Sequence, residues 1–334
     1  MRTSEGETPT LTVVIPTYAG DDRLLACLAS IGRPPGVEIV VVDNGGSPRP
    51  SGWPAPGVRV IQNETNAGYA AACNQGAALA VSPLLLFLND DALLAPRALD
   101  ALLSEADRQP AGAVWQPLCR RPDGSVESVG ELFTWAGFFA PAAHPPGAQT
   151  REVFSTRGIA LLVRRTTFVS LNGFRSDYFA YFEESDLCWR ARVAGHQVFV
   201  VPGAEVHHEG SYTSRRLFEP HQIRYLSFRN RIWSILANAG AWSLVRIVPL
   251  HLLGCLGVGL ALLLRGQWMS ALSVVRALAW PLANSDQVLA HRRSAQRGRK
   301  EPDRSVLRRG LRAGVTGGGV RGRLKDHLAY WARS

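Results

Sequence analysis

Three short apolar runs, each stopped by polar residues, constrain this chain most. Residues 11–16 (LTVVIP), 38–42 (EIVVV) and 84–88 (LLLFL) read as buried strands. Between and around them run other patterns. A helix follows Asp21 or Asp22 with Leu24, Leu25, Leu28 and Ile31 on its inner face, a strand covers 58–62, and a small-residue helix with Gly68 and Gly76 covers 66–80. Further along, 158–163 and 197–201 read as strands, the second ended by Pro202, and 187–194 as a short helix. Residues 114–146 are irregular and aromatic. Strands alternating with helices predict an α/β fold, a mainly parallel Rossmann-like sheet with helices on both faces. In open sheets of this kind ligands gather outside the carboxyl ends of the strands. Here three such ends carry Thr17-Tyr18, Asp43-Asn44 and Asn89-Asp90-Asp91.

The 334 residues suffice for one large domain and a smaller appendage. The formal charge of +10 is uneven: after residue 240, sixteen Lys and Arg face four Asp and Glu. Five cysteines, odd in number and without metal or redox spacing, read as small buried residues of a reducing compartment. The polar first nine residues lack the apolar core of a signal peptide, which implies a cytoplasmic chain.

The most apolar segment is 242–264, but Arg246, Pro249 and His251 interrupt it, leaving thirteen residues (252–264) where a spanning helix needs about twenty. A second apolar stretch, 268–282, is broken by Arg276 and Pro281. The pair reads as amphipathic helices on the inner face of a membrane, with the basic run 292–300 drawn to anionic lipid. A buried helical hairpin and a single span are the alternatives. Lipid accounts better than nucleic acid for basic residues beside apolar helices. The domain reading is 1–9 disordered, 10–235 catalytic, 236–290 membrane-associated and 291–334 a basic tail.

Adjacent carboxylates such as Asp90 and Asp91 repel each other unless a cation joins them, and Mg²⁺ or Mn²⁺ bridging to a diphosphate would do so. Asp43 can accept the imino N–H of uracil or thymine. The helix from Asn66 and Gly68 has little side-chain bulk and lets a ligand approach its backbone. Glu183-Glu184-Ser185-Asp186 sets three carboxylates just before a helix, where crowding raises a pKa toward that of a general base. His207-His208 can complete a metal shell; with Glu209 they lack the four-residue spacing of a zinc hydrolase. Trp135 and Phe138 are candidate walls for an acceptor.

Val13-Val14-Ile15-Pro16-Thr17-Tyr18, Val41-Val42-Asp43-Asn44-Gly45, Asn66-Ala67-Gly68-Tyr69, Leu88-Asn89-Asp90-Asp91 and Phe182-Glu183-Glu184-Ser185-Asp186-Leu187-Cys188-Trp189-Arg190 occur in this order. Together they resemble the family-2 glycosyltransferases of GT-A fold, most of all the rhamnosyltransferase group, over about residues 10–235. The resemblance implies an inverting, metal-dependent transfer of a sugar from a nucleotide diphosphate, dTDP or UDP, to a glycan or polyprenyl-linked acceptor. It implies base and ribose contacts for Thr17 and Asp43, a nucleotide border at Tyr18, Asn66, Gly68 and Asp90, metal ligation by Asp91 and His207, and a base at Glu184 with Glu183 as substitute and Asp186 near the acceptor. The chain departs from the pattern with Glu184 where an aspartate is usual, Asn89 at the first position of the DXD-type motif, and Ala19 where many members have Asn. Arg229-Asn230 resembles a recurring feature of the rhamnosyltransferases. A catalytically idle partner of a polysaccharide synthase is the other reading. A nucleotidyltransferase would need a basic loop where Thr17-Tyr18-Ala19-Gly20 has none.

Overall fold

A computed structural model describes residues 8–18, 20–46, 53–142, 149–210 and 216–312. Ala19, most of the first nine residues and the end of the basic tail lie outside them. In chain order the first elements are β1 (Leu11–Thr17), α1 (Asp22–Ile31), β2 (Val37–Asp43), β3 (Arg59–Gln62), α2 (Tyr69–Ala78), β4 (Leu84–Leu88), β5 (Ala92–Leu94) and α3 (Ala98–Arg108). There follow β6 (Gly112–Arg120), β7 (Val126–Ser128), β8 (Glu131–Phe133), β9 (Phe139–Pro141), β10 (Arg151–Glu152), β11 (Ala160–Arg164), α4 (Arg165–Ser170), α5 (Glu183–Val193) and β12 (Gln197–His208). Helices α6 (Pro220–Asn238), α7 (Ala241–Leu264), α8 (Trp268–Ala283), α9 (Ser285–Arg297) and α10 (Asp303–Arg312) complete the described chain.

The main sheet runs β10-β12-β6-β11-β4-β1-β2-β3. Its β4-β1-β2-β3 half is parallel, while β11 lies antiparallel to both β4 and β6, so the sheet is mixed. Alternation along each strand supplies two cores. Val13, Ile15 and Leu86 meet α1 and α3 on one face, and Val14, Leu85 and Phe87 meet α2 and α5 on the other. Gly76 lets α2 lie close: a Cβ there would meet Val14 Cγ1 at 2.4 Å.

Several elements differ from the sequence reading for tertiary reasons. The irregular 114–146 stretch contains β6, whose residues Gly112–Cys119 are buried because β11 and β12 flank it. Pro202 does not end β12; the strand absorbs it with a register shift between Val201 and Glu205 and continues to His208. Helix α5 starts at Glu183, so the acidic residues occupy its first turn, where the helix dipole favours them.

The C-terminal helices form one block on the domain: Phe228 of α6 packs with Cys255, Val258 and Leu262 of α7 and with Val274 of α8. Helix α7 runs unbroken through Pro249 for 24 residues, long and apolar enough to cross a membrane, and 28 % of its most apolar window is buried. At 1.5 Å per residue it measures about 36 Å. Part of the basic run 292–300 turns inward. Arg292 donates to the carbonyls of Leu236 and Ala239, Gln296 to those of Ala237 and Asn238, and Arg299 to that of Asn238, which caps the carboxyl end of α6. Arg293, Arg297 and Lys300 remain exposed.

Candidate active site

The parallel register aligns strand ends: Thr17 lies opposite Asp43, and Val14 opposite Phe87, so the residues after β4 reach the level of Thr17. There the Thr17 hydroxyl donates to Asp90 Oδ2 at 2.6 Å. Burial pushes the Asp90 carboxyl up to about 7 against that bond. Thr17, Tyr18, Asn66, Gly68, Asp90, Asp91, Glu183 and Glu184 all line a single cleft of about 790 Å³.

One side of the cleft is built around Asn44. Its amide donates to the Gly68 carbonyl (3.1 Å), and its oxygen accepts from Asn63 (2.8 Å) and from the Ala67 N–H (3.3 Å). Asn66 Oδ1 accepts from the Gly68 N–H at 2.9 Å. Gly68 has φ +88°, and a Cβ would stand 2.5 Å from the Phe179 carbonyl oxygen, so no other residue fits there unstrained.

Opposite lies the loop entering α5. Phe179, Tyr181 and Phe182 have φ of +66°, +68° and +80°, a conformation side chains of this size rarely adopt. The loop is held from α6: the buried Asn230 amide reaches the carbonyls of Tyr178 (3.1 Å), Ala180 (3.0 Å) and Tyr181 (2.7 Å). Arg229 adds bonds to the carbonyls of Asp177 and Tyr178. This is the physical role of the Arg229-Asn230 pair.

Glu184 Oε1 accepts from the Gly158 N–H at 3.1 Å. Burial, then the charge of Glu131, push its carboxyl up to about 7, partly offset by the Gly158 bond and Arg157. Glu183 is more deeply buried, its Oε2 has no hydrogen-bond partner, and burial with the charge of Glu184 raises it further above the carboxylate range.

Where the sequence reading named His207, the structure brings its neighbour. Alternation along β12 turns His208 into the cleft, where Nε2 stands 3.3 Å from Asp91 Oδ1 and Nδ1 3.0 Å from Glu127 Oε2. Burial works against its proton, but the bonds to Asp91 and Glu127 outweigh it and push the imidazole up to about 9. His207 does not line the cleft. Among the described residues no three His, Cys, Asp or Glu side chains gather closely enough to hold a metal unaided. The donors on this edge are nevertheless hard ones: two carboxylates and the buried Asn89 Oδ1, which has no hydrogen-bond partner. That set suits Mg²⁺ or Mn²⁺, which commonly take one or two protein carboxylates and complete their shell from phosphate oxygens and water.

Other expected residues lie elsewhere. Asp43 ends β2 beneath the edge, accepting from the Gly45 N–H at 3.1 Å, and Asn44 takes its place in the cleft wall. Asp186 has no exposed surface: Arg175 (3.0 Å), Arg190 (2.6 Å), Ser234 (3.0 Å) and Asn238 (2.7 Å) surround it. Burial would raise it, yet Arg175 and Arg190 hold it well below the usual carboxylate range, so it ties α5 to α6 rather than meeting an acceptor. Trp135 is exposed outside the cleft, and Phe138 packs on His251 of α7; Phe139 lines the cleft instead. Tyr69, Glu127, Glu131, Arg157, Arg224 and Arg231, which the sequence did not single out, also line it.

The family model for glycosyl transferase family 2 matches residues 12–140. The chain is 32 % identical over 264 residues to the N-acetylglucosaminyl-diphospho-decaprenol L-rhamnosyltransferase of Mycobacterium tuberculosis, covering 67 % of this chain and 85 % of that one. It is 24 % identical to the low-salt glycan biosynthesis hexosyltransferase Agl10 of Haloferax volcanii, covering 66 % and 74 %. Its fold is similar to that of S. aureus TarS residues 1–349 in complex with UDP-GlcNAc, with a TM-score of 0.55 and 17 % identity over 86 % of this chain and 90 % of that one. It is also similar to the mannosyltransferase PcManGT of Pyrobaculum calidifontis with GDP-Man and Mn²⁺, with a TM-score of 0.51 and 16 % identity over 92 % and 86 %. The chain belongs to glycosyl transferase family 2 and is a hexosyltransferase of its rhamnosyltransferase-like group, built on the GT-A fold.

Proposed function

We propose that this enzyme transfers a sugar, with dTDP-L-rhamnose as first candidate donor and UDP-sugars as the other class, to a hydroxyl of a polyprenyl-diphosphate-linked sugar at the cytoplasmic face of a membrane. The single observation that carries this reading is the shared cleft: groups from the ends of β1 and β4 and the start of α5 face one hollow of about 790 Å³. The acceptor class is suggested by the mycobacterial relative, whose name is that of a decaprenol-diphosphate rhamnosyltransferase.

In this reading Asn44, Asn66 and the Gly68 backbone border the nucleoside, with Thr17, Tyr18 and Asp90 at its ribose and phosphates and Asp43 supporting from below. Asp91, with His208 beside it, would hold Mg²⁺ or Mn²⁺, whose charge would stabilise the departing diphosphate. Glu184 takes the proton of the acceptor hydroxyl. A carboxyl near 7 suits that task, because its basic form is populated at neutral pH while it retains affinity for a proton. Glu183 stands beside it, its carboxyl also raised by burial and by the charge of Glu184. Attack from the side of Glu184, opposite the leaving diphosphate, inverts the anomeric centre. Helix α7 and the exposed basic residues of α9 would attach the enzyme to the bilayer surface.

A thermal-shift screen of dTDP-, UDP- and GDP-sugars with and without Mn²⁺ tests the reading, since a ligand bound by the native state raises its melting temperature. A shift that needs both a nucleotide-sugar and Mn²⁺ is expected, followed by slow donor hydrolysis. Binding without any turnover would favour the idle partner, and no shift with any donor would overturn sugar transfer.

A further inference from the structure

Glu127 lines the cleft and takes no part in the proposed transfer. It stands on β7, and the pairing of β7 with β6 explains where it points. Cys119 pairs with Ser128 and Arg120 with Val126, so β7 advances by two residues where β6 advances by one. Glu127 is therefore the extra residue of a β-bulge, lying between the two pairs. Bulges bend a strand, re-aim a side chain and are common beside active sites. The flanks of this one are fixed. Ser128 Oγ accepts from the Gln116 amide and from the Gly130 N–H, each at 3.1 Å, and the Arg121 N–H closes the preceding turn on the Ser125 carbonyl at 2.9 Å. Glu127 Oε2 thereby comes to 3.0 Å from His208 Nδ1.

The backbone of His208 is held from the opposite side. His208 ends β12, where it pairs with Ala92 of β5, and the Glu209 N–H donates to the Asp91 carbonyl at 3.1 Å. These bonds align residues 91 and 208, and Nε2 stands 3.3 Å from Asp91 Oδ1. Backbone alignment alone does not set the ring, because the imidazole torsion is broad and two-fold. A contact at Nδ1 sets it. An ionised carboxylate offers acceptors only, so Nδ1 meets Glu127 as an N–H, and Nε2 is the nitrogen left facing Asp91. The two nitrogens lie on different edges of the ring, so Glu127 reaches the Asp91 edge through His208. That agrees with the described residues, among which no three such side chains gather closely enough to share one ion.

We propose that Glu127 is a positioning residue for the metal edge: aimed by its bulge, it accepts from His208 Nδ1 and fixes the imidazole with Nε2 toward an ion held by Asp91. Carboxylates behind metal-binding imidazoles act in this way, and losing one commonly costs about 10–100-fold in metal affinity. The proposal deepens the transferase reading and rests on its assignment of Mg²⁺ or Mn²⁺ to Asp91 and His208.

The test follows Mn²⁺ binding to the whole protein by electron paramagnetic resonance, with dTDP and UDP in parallel, and the melting temperature without metal. Glu127→Ala should weaken Mn²⁺ at least ~10-fold in the nucleotide complex and leave binding of metal-free nucleotide within about threefold. Glu127→Gln keeps an oxygen for Nδ1 and should hold Mn²⁺ at an intermediate level, which guards against a folding defect in the Ala variant. His208→Ala should weaken Mn²⁺ at least as much as Glu127→Ala. The double variant should be no weaker than His208→Ala alone, because Glu127 acts through the ring. Glu127→Ala with Mn²⁺ affinity within about twofold of wild type overturns the proposal even if its melting temperature falls, since a merely structural carboxylate gives that pattern. A double variant ~10-fold weaker than His208→Ala makes Glu127 an independent ligand, and equal loss of metal-free nucleotide places it in the donor site; either overturns the proposal. Mn²⁺ lost with Asp91→Asn but kept with Glu127→Ala removes the proposal and leaves the transferase reading intact. A wild type that binds nucleotide and no Mn²⁺ removes the metal from that reading and the proposal with it.

Discussion

Replacing Asn230 by Ala removes the clamp on the loop that carries the first turn of α5 into the cleft. One amide nitrogen with two hydrogens serves three carbonyls, of Tyr178, Ala180 and Tyr181. The Tyr178 carbonyl keeps Arg229 as a donor at 2.9 Å, so the loss falls on Ala180 and Tyr181. An orphaned buried carbonyl costs about 1–3 kcal/mol, which bounds the loss at about 2–6 kcal/mol. Two effects pull it to the lower end: the loop borders the cleft and can turn these carbonyls to water, and relaxation releases strain stored at Phe179, Tyr181 and Phe182, about 1–3 kcal/mol each. A net loss of about 2 kcal/mol, or about 3 °C in Tm for a chain of 334 residues, is expected. The same relaxation moves Glu183 and Glu184, and displacements of an ångström in a catalytic group can cost ~100-fold, so kcat should fall at least ~10-fold with donor affinity little changed. Asn230→Asp must be worse than Ala, because it sets a carboxylate against the same carbonyls. Calorimetry and initial-rate kinetics decide the matter. An Ala variant within 1 °C and twofold of wild type, or an Asp variant better than Ala, would refute the clamp.

Three further outcomes are expected. Glu184→Gln keeps the acceptor for the Gly158 N–H but cannot take a proton, so kcat should fall at least ~100-fold. In the wild type the rate should rise with pH and level off above about 7, as Glu184 ionises. Because Glu184 is raised from 4.5 to about 7 by burial and by Glu131, against Arg157, the folded state holds the extra proton across that window. Its contribution to stability therefore falls as pH rises from 4.5 to 7, and urea titrations of Glu184→Gln should lack that slope. A normal rate in this variant would move the base to Glu183. Gly68→Ala meets both a positive φ and the Phe179 carbonyl; a loss of at least about 1–3 kcal/mol and weaker nucleotide binding should appear together in denaturation and titration, and a neutral result would contradict the close approach. Asp91→Asn should cut kcat at least ~100-fold and flatten the response to added Mn²⁺, whereas full activity in a chelator would remove the metal from the scheme.

The strands β1, β2 and β4, the helix α1 and the polar ends that reach the cleft were legible in the chain itself, because an apolar run of five to seven residues has few ways to hide from water and its polar stop marks the edge where burial ends. Order along the chain was enough to bring Thr17 and Asp90 to one edge, since parallel strands joined by crossovers must end on the same side. Tertiary contact decided the rest. His208 replaces His207 because β12 runs through Pro202 with a register shift, and a two-residue period allows one of two neighbours to face the cleft. Asp186 leaves the acceptor list because Arg175 and residues of α6, some fifty positions away, close over it. Helix α7 continues through Pro249 because packing against α6 and α8 sustains it, a support that local propensity does not report. The role of Asn230 and the place of Arg224 and Arg231 in the cleft lining exist only where α6 meets the strained loop and the cleft, so no local pattern marks them.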